Sequence, residues 1–403
     1  MRKDHAMPGR LRLWGFSFLL LFLPFFGLVA PKSAGVIVPL STIMVFSGWV
    51  VETKNLSLLR SKAWWVVLAV VCFAALGLVW APDLEIALDR ILKLVVFLPA
   101  GTVLVLIAAQ SDNIGGDESR KLLLSGLGLG VLLLAWAVIT TGPLSVLLPS
   151  DLHYLQGPSG ENRGAVLLAL LATAYLLAAR GIIPTPWAWA GVLCVGTLLM
   201  FAASQTAFVA FLVWVAVWAA GSIYPALVRQ FVVWGGALFI LAQPFLVLAI
   251  EWMDPSRSFD IEVASVGARL DIWIAVAHKA MEAPLFGHGL EATRSITDWA
   301  NEFRYFNGPN IPHPHNGILQ IWIEFGLTGA LAAAFTWVGL LTSLDQYRKE
   351  DQVALLSLAS SLLVVVGISH GLWQSWWLWG AFGVVAVTLT QVRREGSSLA
   401  TGH

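Results

Sequence analysis

Apolar runs long enough to cross a bilayer as a helix, about 20 residues each, recur from one end of this chain to the other. Reading the chain on that length predicts an all-α polytopic membrane protein with about 12 transmembrane helices. They fall near 11–30, 35–51, 63–80, 90–109, 121–141, 164–179, 186–203, 207–222, 230–250, 316–343, 353–371 and 373–391. Residues 1–403 read as a single integral membrane domain. Within it, residues 251–315 form a long loop with short helices between the ninth and tenth spans. The break Ser204-Gln205-Thr206 reads as a tight hairpin. Composition agrees, because 58% of residues are hydrophobic and only 12% charged, about half the charge of a soluble domain. Net charge is zero, so nothing draws the chain toward nucleic acid. Cys72 and Cys194 lie inside apolar runs and read as core packing rather than a disulfide or a metal site. Trp14, Trp64, Trp65, Trp80 and Trp187 lie at run ends, where an amphipathic ring settles at the membrane interface.

Arg2, Lys3, Arg10 and Arg12 precede the first run, and Ala30 and Ser33-Ala34 follow it, a pattern shared with cleaved signal peptides. The run is long enough to span and further spans follow at once, so an uncleaved first helix is the simpler reading. Lysine and arginine then set the orientation. With the N-terminus in the cytoplasm, fifteen of the 24 basic residues fall on the inner side and nine on the outer. Every inner loop carries at least one, including Lys54, Arg60, Arg120, Arg180, Arg229, Arg348 and Arg394. With an even number of spans both termini are cytoplasmic.

The outer cations gather at the start of the fourth helix, in the 142–163 loop and in the 251–315 loop. Charges that resist the orientation rule fit a site for something anionic, but a long loop also translocates with ordinary surface charge. Arg257, Lys279 and Arg304 are read in that plainer way. The loop is too long to be a mere connector. After Asp254-Pro255-Ser256-Arg257, a helix is expected from about Val266 to Met281, with Leu270, Trp273, Ile274 and Ala277 on its apolar face. It would lie flat on the outer leaflet or cap the bundle. The turn Pro284-Leu285-Phe286-Gly287-His288-Gly289 ends it, and Asn307-Gly308-Pro309 leads on toward His313-Pro314-His315-Asn316.

That last segment is the strongest chemical feature. Two prolines stiffen it, and Asn316 is placed to cap the helix that begins there. A helix N-terminus favours anions, and histidine takes a proton near neutral pH, which suits a general base. The plainer reading is two interfacial histidines before a capped helix. Asn316, Gln320 and Glu324 form one polar stripe down that helix. Glu324 is either functional, as intramembrane carboxylates tend to be, or only paired with a neighbouring helix. Gly326 and Gly329 read as a smooth patch for a close helix approach. Arg163, in Gly160-Glu161-Asn162-Arg163-Gly164, and Arg269, at the start of the loop helix, are phosphate-binding candidates because a guanidinium stays charged in greasy surroundings. Arg90 and Lys93 either add to that site or snorkel to headgroups. His313-x-His315 lacks the carboxylate or cysteine partners of a metal site. No glycine-rich phosphate loop, dinucleotide fingerprint or serine elbow appears, which argues against an ATP-driven pump.

His315-Asn316, nine residues, Gly326, two residues and Gly329 together resemble the signature of the O-antigen ligase family of lipopolysaccharide assembly. Asn162-Arg163-Gly164-Ala165 and Arg269…Trp273 leading to Pro284-Leu285-Phe286-Gly287-His288-Gly289 resemble that family in the same order. The resemblance covers roughly residues 150–345 by motif and the whole chain by topology. It implies metal-independent, cofactor-free inverting transfer of O-antigen from an undecaprenyl-diphosphate donor to a sugar hydroxyl of lipid A–core, on the periplasmic face of the bacterial inner membrane. Donor, acceptor and membrane lipids would be the partners. His315 would deprotonate the acceptor. Arg163 and Arg269 would hold the diphosphate, with Asn316, His313, Arg90 and Lys93 lining the substrate site. An O-antigen or exopolysaccharide polymerase uses the same donor and has similar motifs. A lipid-linked sugar transporter would instead need polar residues spread through the midplane and broken helices.

Overall fold

A backbone in lipid has no water to bond, so it closes its hydrogen bonds within each segment. The computed structural model obeys this: it is all-helical, with no strand among the described residues. It describes residues 7–53, 57–111, 116–140, 144–156, 160–202, 204–253, 264–299, 303–306 and 311–393. Arg2, Lys3, Lys54, Arg257, Asp254-Pro255-Ser256, Asn307-Gly308-Pro309 and Arg394 lie outside the described residues.

The helices are α1 (Met7–Val29), α2 (Ala34–Thr53), α3 (Ala63–Leu76), α4 (Leu84–Gln110), α5 (Gly116–Thr140), α6 (His153–Gln156), α7 (Gly160–Leu170), α8 (Ala172–Ala179), α9 (Thr185–Phe201), α10 (Gln205–Ile223), α11 (Pro225–Gln230), α12 (Gly236–Met253), α13 (Ala264–Glu282), α14 (Gly317–Thr342), α15 (Lys349–Ile368) and α16 (Ser375–Leu389). A π-helical turn, Phe231–Gly235, joins α11 to α12. Each of the twelve expected spans meets helix. Among the described residues, however, nine helices are long and apolar enough to cross a membrane, or ten with α7 and α8 as one bent span. Two expected spans, α9 and α16, have only 17 and 15 residues. The sixth is not one rod, because α7 and α8 meet at 40° across Leu171. The chain is a multi-pass membrane protein.

The largest core joins α1, α2, α4, α5, α7, α8, α9, α10, α15 and α16. A second core seats α13 against α12 and α14. This settles how the loop helix lies. Ile272, Ile274, Ala275, Val276, Ala277 and Ala280 are all buried, so α13 caps the bundle instead of floating on its apolar face. Asp271 is 2% exposed and accepts the backbone N–H groups of Arg304, Tyr305 and Phe306.

Two expectations fail for identifiable reasons. Cys72 and Cys194 are free and exposed; an apolar run in a membrane helix has outward faces as apolar as its core. Gly326 does not make a smooth patch for another helix. It breaks α14 at φ 61°, ψ −153°, and the 284–289 turn fills the gap. Leu327 N–H donates to the Pro284 carbonyl at 2.7 Å, and His288 and Gly289 donate back to Ile323 and Glu324 at 2.7 and 2.9 Å. The freed helix groups are thus satisfied by an inserted strand of backbone. Only glycine fits, since a Cβ on Gly326 would lie 2.5 Å from the Leu285 carbonyl carbon. Gly287, at φ 69°, meets the Glu324 backbone as closely.

Candidate functional site

Five polar segments meet at one end of the bundle: the first turn of α7, the start of α10, the N-terminal half of α13, the 313–316 turn before α14 and the 369–376 turn between α15 and α16. The 313–316 turn is the best defined. Asn316 is fully buried and caps α14, its Oδ1 accepting from Ile318 N–H at 3.1 Å and Leu319 N–H at 2.9 Å. Such a cap contributes about 1 kcal/mol. The indole of Trp273 donates to the Pro314 carbonyl at 3.0 Å, tying the turn to α13. Between these anchors His315 takes a left-handed backbone, φ 53°, a conformation rare outside glycine but more common for histidine than for most residues.

The two histidines are held in defined roles. His315 Nδ1 lies 3.2 Å from the Ser369 carbonyl; a carbonyl only accepts, so Nδ1 carries the proton and Nε2 is left as the basic nitrogen. His313 Nε2 lies 3.0 Å from Gln374 Nε2. The Trp376 indole donates to Gln374 Oε1 at 2.9 Å, which fixes the amide with its nitrogen toward His313, so His313 Nε2 accepts. The two imidazoles stand 4.3 Å apart between centroids. A third, His370, packs edge-on against Trp376 at 4.8 Å and contacts the Ser369 hydroxyl at 3.2 Å.

Two arginines, Arg163 and Arg269, stand near these rings. Arg163 sits over the face of Trp376, 5.4 Å from the ring centre, and its buried Nη1 has no hydrogen-bond partner among the described residues. The next residue, Gly164, lets α7 press against the end of α1, because a Cβ there would lie 2.6 Å from Leu28 Cα. Arg269 Nη1 donates to Thr206 Oγ1 at 3.4 Å. No carboxylate pairs with Arg163 or Arg269 among the described residues. The buried amide nitrogen of Asn316 is also unpartnered. Burial, with the charges of Arg269 and Arg163 beside it, holds the His315 imidazole below its ordinary value, although the Ser369 bond opposes this. Burial and the neighbouring His315, Arg294, Arg163 and Arg90 push His313 down to about 3. Burial pushes His370 well below the usual range. All three rings are therefore neutral at pH 7. The result is a buried positive site with a neutral base in it, suited to an anion and a proton donor together.

The other expected residues fall differently. Arg90 is half-buried and pairs with Glu291 while bonding the Trp373 carbonyl. Arg294 shares the same Glu291. Lys93 pairs with Asp89 on the exposed face of α4 at 2.5 Å. The stripe of α14 is a tie: Gln320 donates to Glu324 at 2.8 Å, Trp373 donates to the same carboxylate at 2.7 Å, and Leu372 N–H donates to Gln320 at 2.8 Å. Glu324 is thus fully paired. Sequence reasoning missed the 369–376 turn, which supplies Ser369, His370, Gln374 and Trp376. Its signal was the polar cluster Ser369-His370-Gly371, taken as the end of one span running directly into the next.

Comparison with known proteins adds an independent finding. Residues 190–334 match the family model described as O-antigen ligase; that stretch holds Arg269, His313, His315, Asn316, Gly326 and Gly329, but not Arg163 or the 369–376 turn. A Rickettsia conorii protein named "Putative polysaccharide ligase" is 29% identical over 38% of this chain and 38% of its own. One of the same description from Rickettsia felis is 26% identical over 40% of this chain and 46% of its own. Another, from Rickettsia prowazekii, is 25% identical over 43% of each. The matched stretch spans less than half the length of these curated relatives.

Proposed function

We propose, from the match of residues 190–334 to the O-antigen ligase family model, that the chain transfers a finished polysaccharide from undecaprenyl diphosphate to a sugar hydroxyl of lipid A–core. In this reading the chain is one integral domain crossing the bacterial inner membrane twelve times. Both termini are cytoplasmic, and the 251–315 loop and the histidine site face the periplasm. The observation that carries it is the pairing of a neutral, oriented His315 with two arginines that have no carboxylate among the described residues.

The donor diphosphate is the missing anion. Arg163 and Arg269 hold it, joined by the unpartnered Asn316 amide, and they stabilise the charge that grows as it leaves. His315 Nε2 accepts the acceptor hydroxyl proton as its oxygen attacks the anomeric carbon. The new C–O bond forms as the sugar–phosphate C–O bond breaks. The electron pair leaves with undecaprenyl diphosphate, and one displacement inverts the centre. The proton passes from His315 to solvent. The energy comes from the diphosphate linkage. His313, fixed by Gln374, backs the His315 ring. Arg90 supports this end of the bundle through Glu291, and Lys93 lies at its rim toward headgroups.

Replacing His315 by Ala in cells that make O-antigen tests the reading. The expected outcome is rough lipopolysaccharide with accumulated carrier-linked polymer. Long chains still reaching lipid A–core would rule the ligase out, and carrier bearing only single repeat units would favour the polymerase.

A further inference from the structure

At the other end of the helices the chain forms a second basic site that the transfer reaction does not use. A cavity of about 400 Å³ opens where α5, α8, α15 and α16 end or begin, and Arg120, Arg180, Arg348 and Arg393 line it with Glu350 and Asp351. The charges do not cancel. Asp351, 1% exposed, is spent: one oxygen pairs with Arg180 and the other accepts Arg393 N–H at 2.8 Å. Arg120 is fixed by the Leu177 carbonyl at 3.1 Å, the Arg180 carbonyl and the exposed Asp117. Arg348 and Arg393 are left without a carboxylate among the described residues. A backbone bond, Arg348 N–H to the Arg393 carbonyl at 3.3 Å, sets these two residues side by side at the cavity.

A general excess of lysine and arginine on one side of a membrane protein explains charge, but not a formed cavity with two guanidiniums that have no carboxylate pair among the described residues. We propose that this cavity binds a phosphate group, and that its position at the helix ends, where headgroups lie, makes an anionic phospholipid the source. Basic pockets between transmembrane helices take such headgroups, and guanidiniums match phosphate oxygens in a two-pronged way. The site would anchor a lipid between α15 and α16, the helices whose far ends carry the 369–376 turn.

Native mass spectrometry of the full chain in detergent tests this, titrated separately with phosphatidylglycerol, phosphatidylcholine and inorganic phosphate. The double variant Arg348→Gln/Arg393→Gln removes the unpaired charges and leaves the Arg180–Asp351 pair intact. Arg60→Gln removes an exposed arginine outside the cavity, and an unchanged melting temperature in each variant shows that folding is retained. The first phosphatidylglycerol is expected to bind more tightly than phosphatidylcholine. The double variant should lose about fivefold per arginine, and Arg60→Gln should lose nothing. Inorganic phosphate binding that the double variant weakens, without a lipid preference, would keep the phosphate site and overturn the lipid as its source. Equal binding by wild type and double variant in every arm, or an equal loss in Arg60→Gln, would overturn the site.

Discussion

Two pairs of arginines act on the same histidine end of the bundle, and they differ in one respect. Arg90 and Arg294 converge on the buried carboxylate of Glu291, whereas Arg163 and Arg269 have an indole face and a threonine hydroxyl but no carboxylate among the described residues. A buried ion pair that loses one partner leaves a buried charge behind and costs about 3–5 kcal/mol. A largely buried cation with no carboxylate beside it is already a cost, which the fold bears for something other than stability. In the proposed reading the paired set belongs to the scaffold and the unpaired set to the ligand. This contrast separates two kinds of arginine that the sequence presents alike.

The largest effect expected is on chemistry. Changing His315 to Ala removes the base and should cut transfer by roughly 100- to 10,000-fold, read as product formed by purified protein from lipid-linked donor, with the melting temperature close to wild type. Next come the arginines, which should split. Arg163→Ala or Arg269→Ala should lower transfer at least tenfold with little loss of stability. Arg90→Ala should lower the melting temperature by several degrees, because Glu291 loses a partner. A fall in stability for Arg163→Ala as large as that for Arg90→Ala would erase the distinction. Gly326→Ala should destabilise by about 1–3 kcal/mol, since a side chain there meets both a left-handed backbone and the inserted 284–287 turn; thermal unfolding measures it. The smallest effect is in the pH profile. His315 is held below 6.5, so its neutral, active form persists as pH falls through 6.5. The kcat/KM should stay level there and drop only below the lowered value. A limb centred above 6.5 would contradict the burial argument.

How far this was legible in sequence depends on the range of the interaction. Helix positions follow from apolar run length, and Asn316 as a cap follows from its place before Gly317, so both could be read locally. The bend at Leu171 could not, because Leu170-Leu171-Ala172 carries no breaker. Gly326 was visible as a glycine, but spacing alone does not tell a close helix approach from a break that admits another backbone. The pairing state of Arg90 depends on Glu291, 201 residues away, and that of Arg163 on Trp376. The orienting carbonyl of Ser369 has no side-chain signature at all. The candidate base was therefore readable, while the groups that orient it and the neutrality that makes it useful came only with the fold.

Binding of undecaprenyl diphosphate to purified wild-type, Arg163→Ala, Arg269→Ala and His315→Ala proteins tests the central claim most directly. The two arginine variants are expected to lose at least tenfold in affinity, while His315→Ala binds as wild type and still fails to transfer. Wild-type affinity in both arginine variants would contradict the account, because the unpaired cations would then not be the seat of the diphosphate.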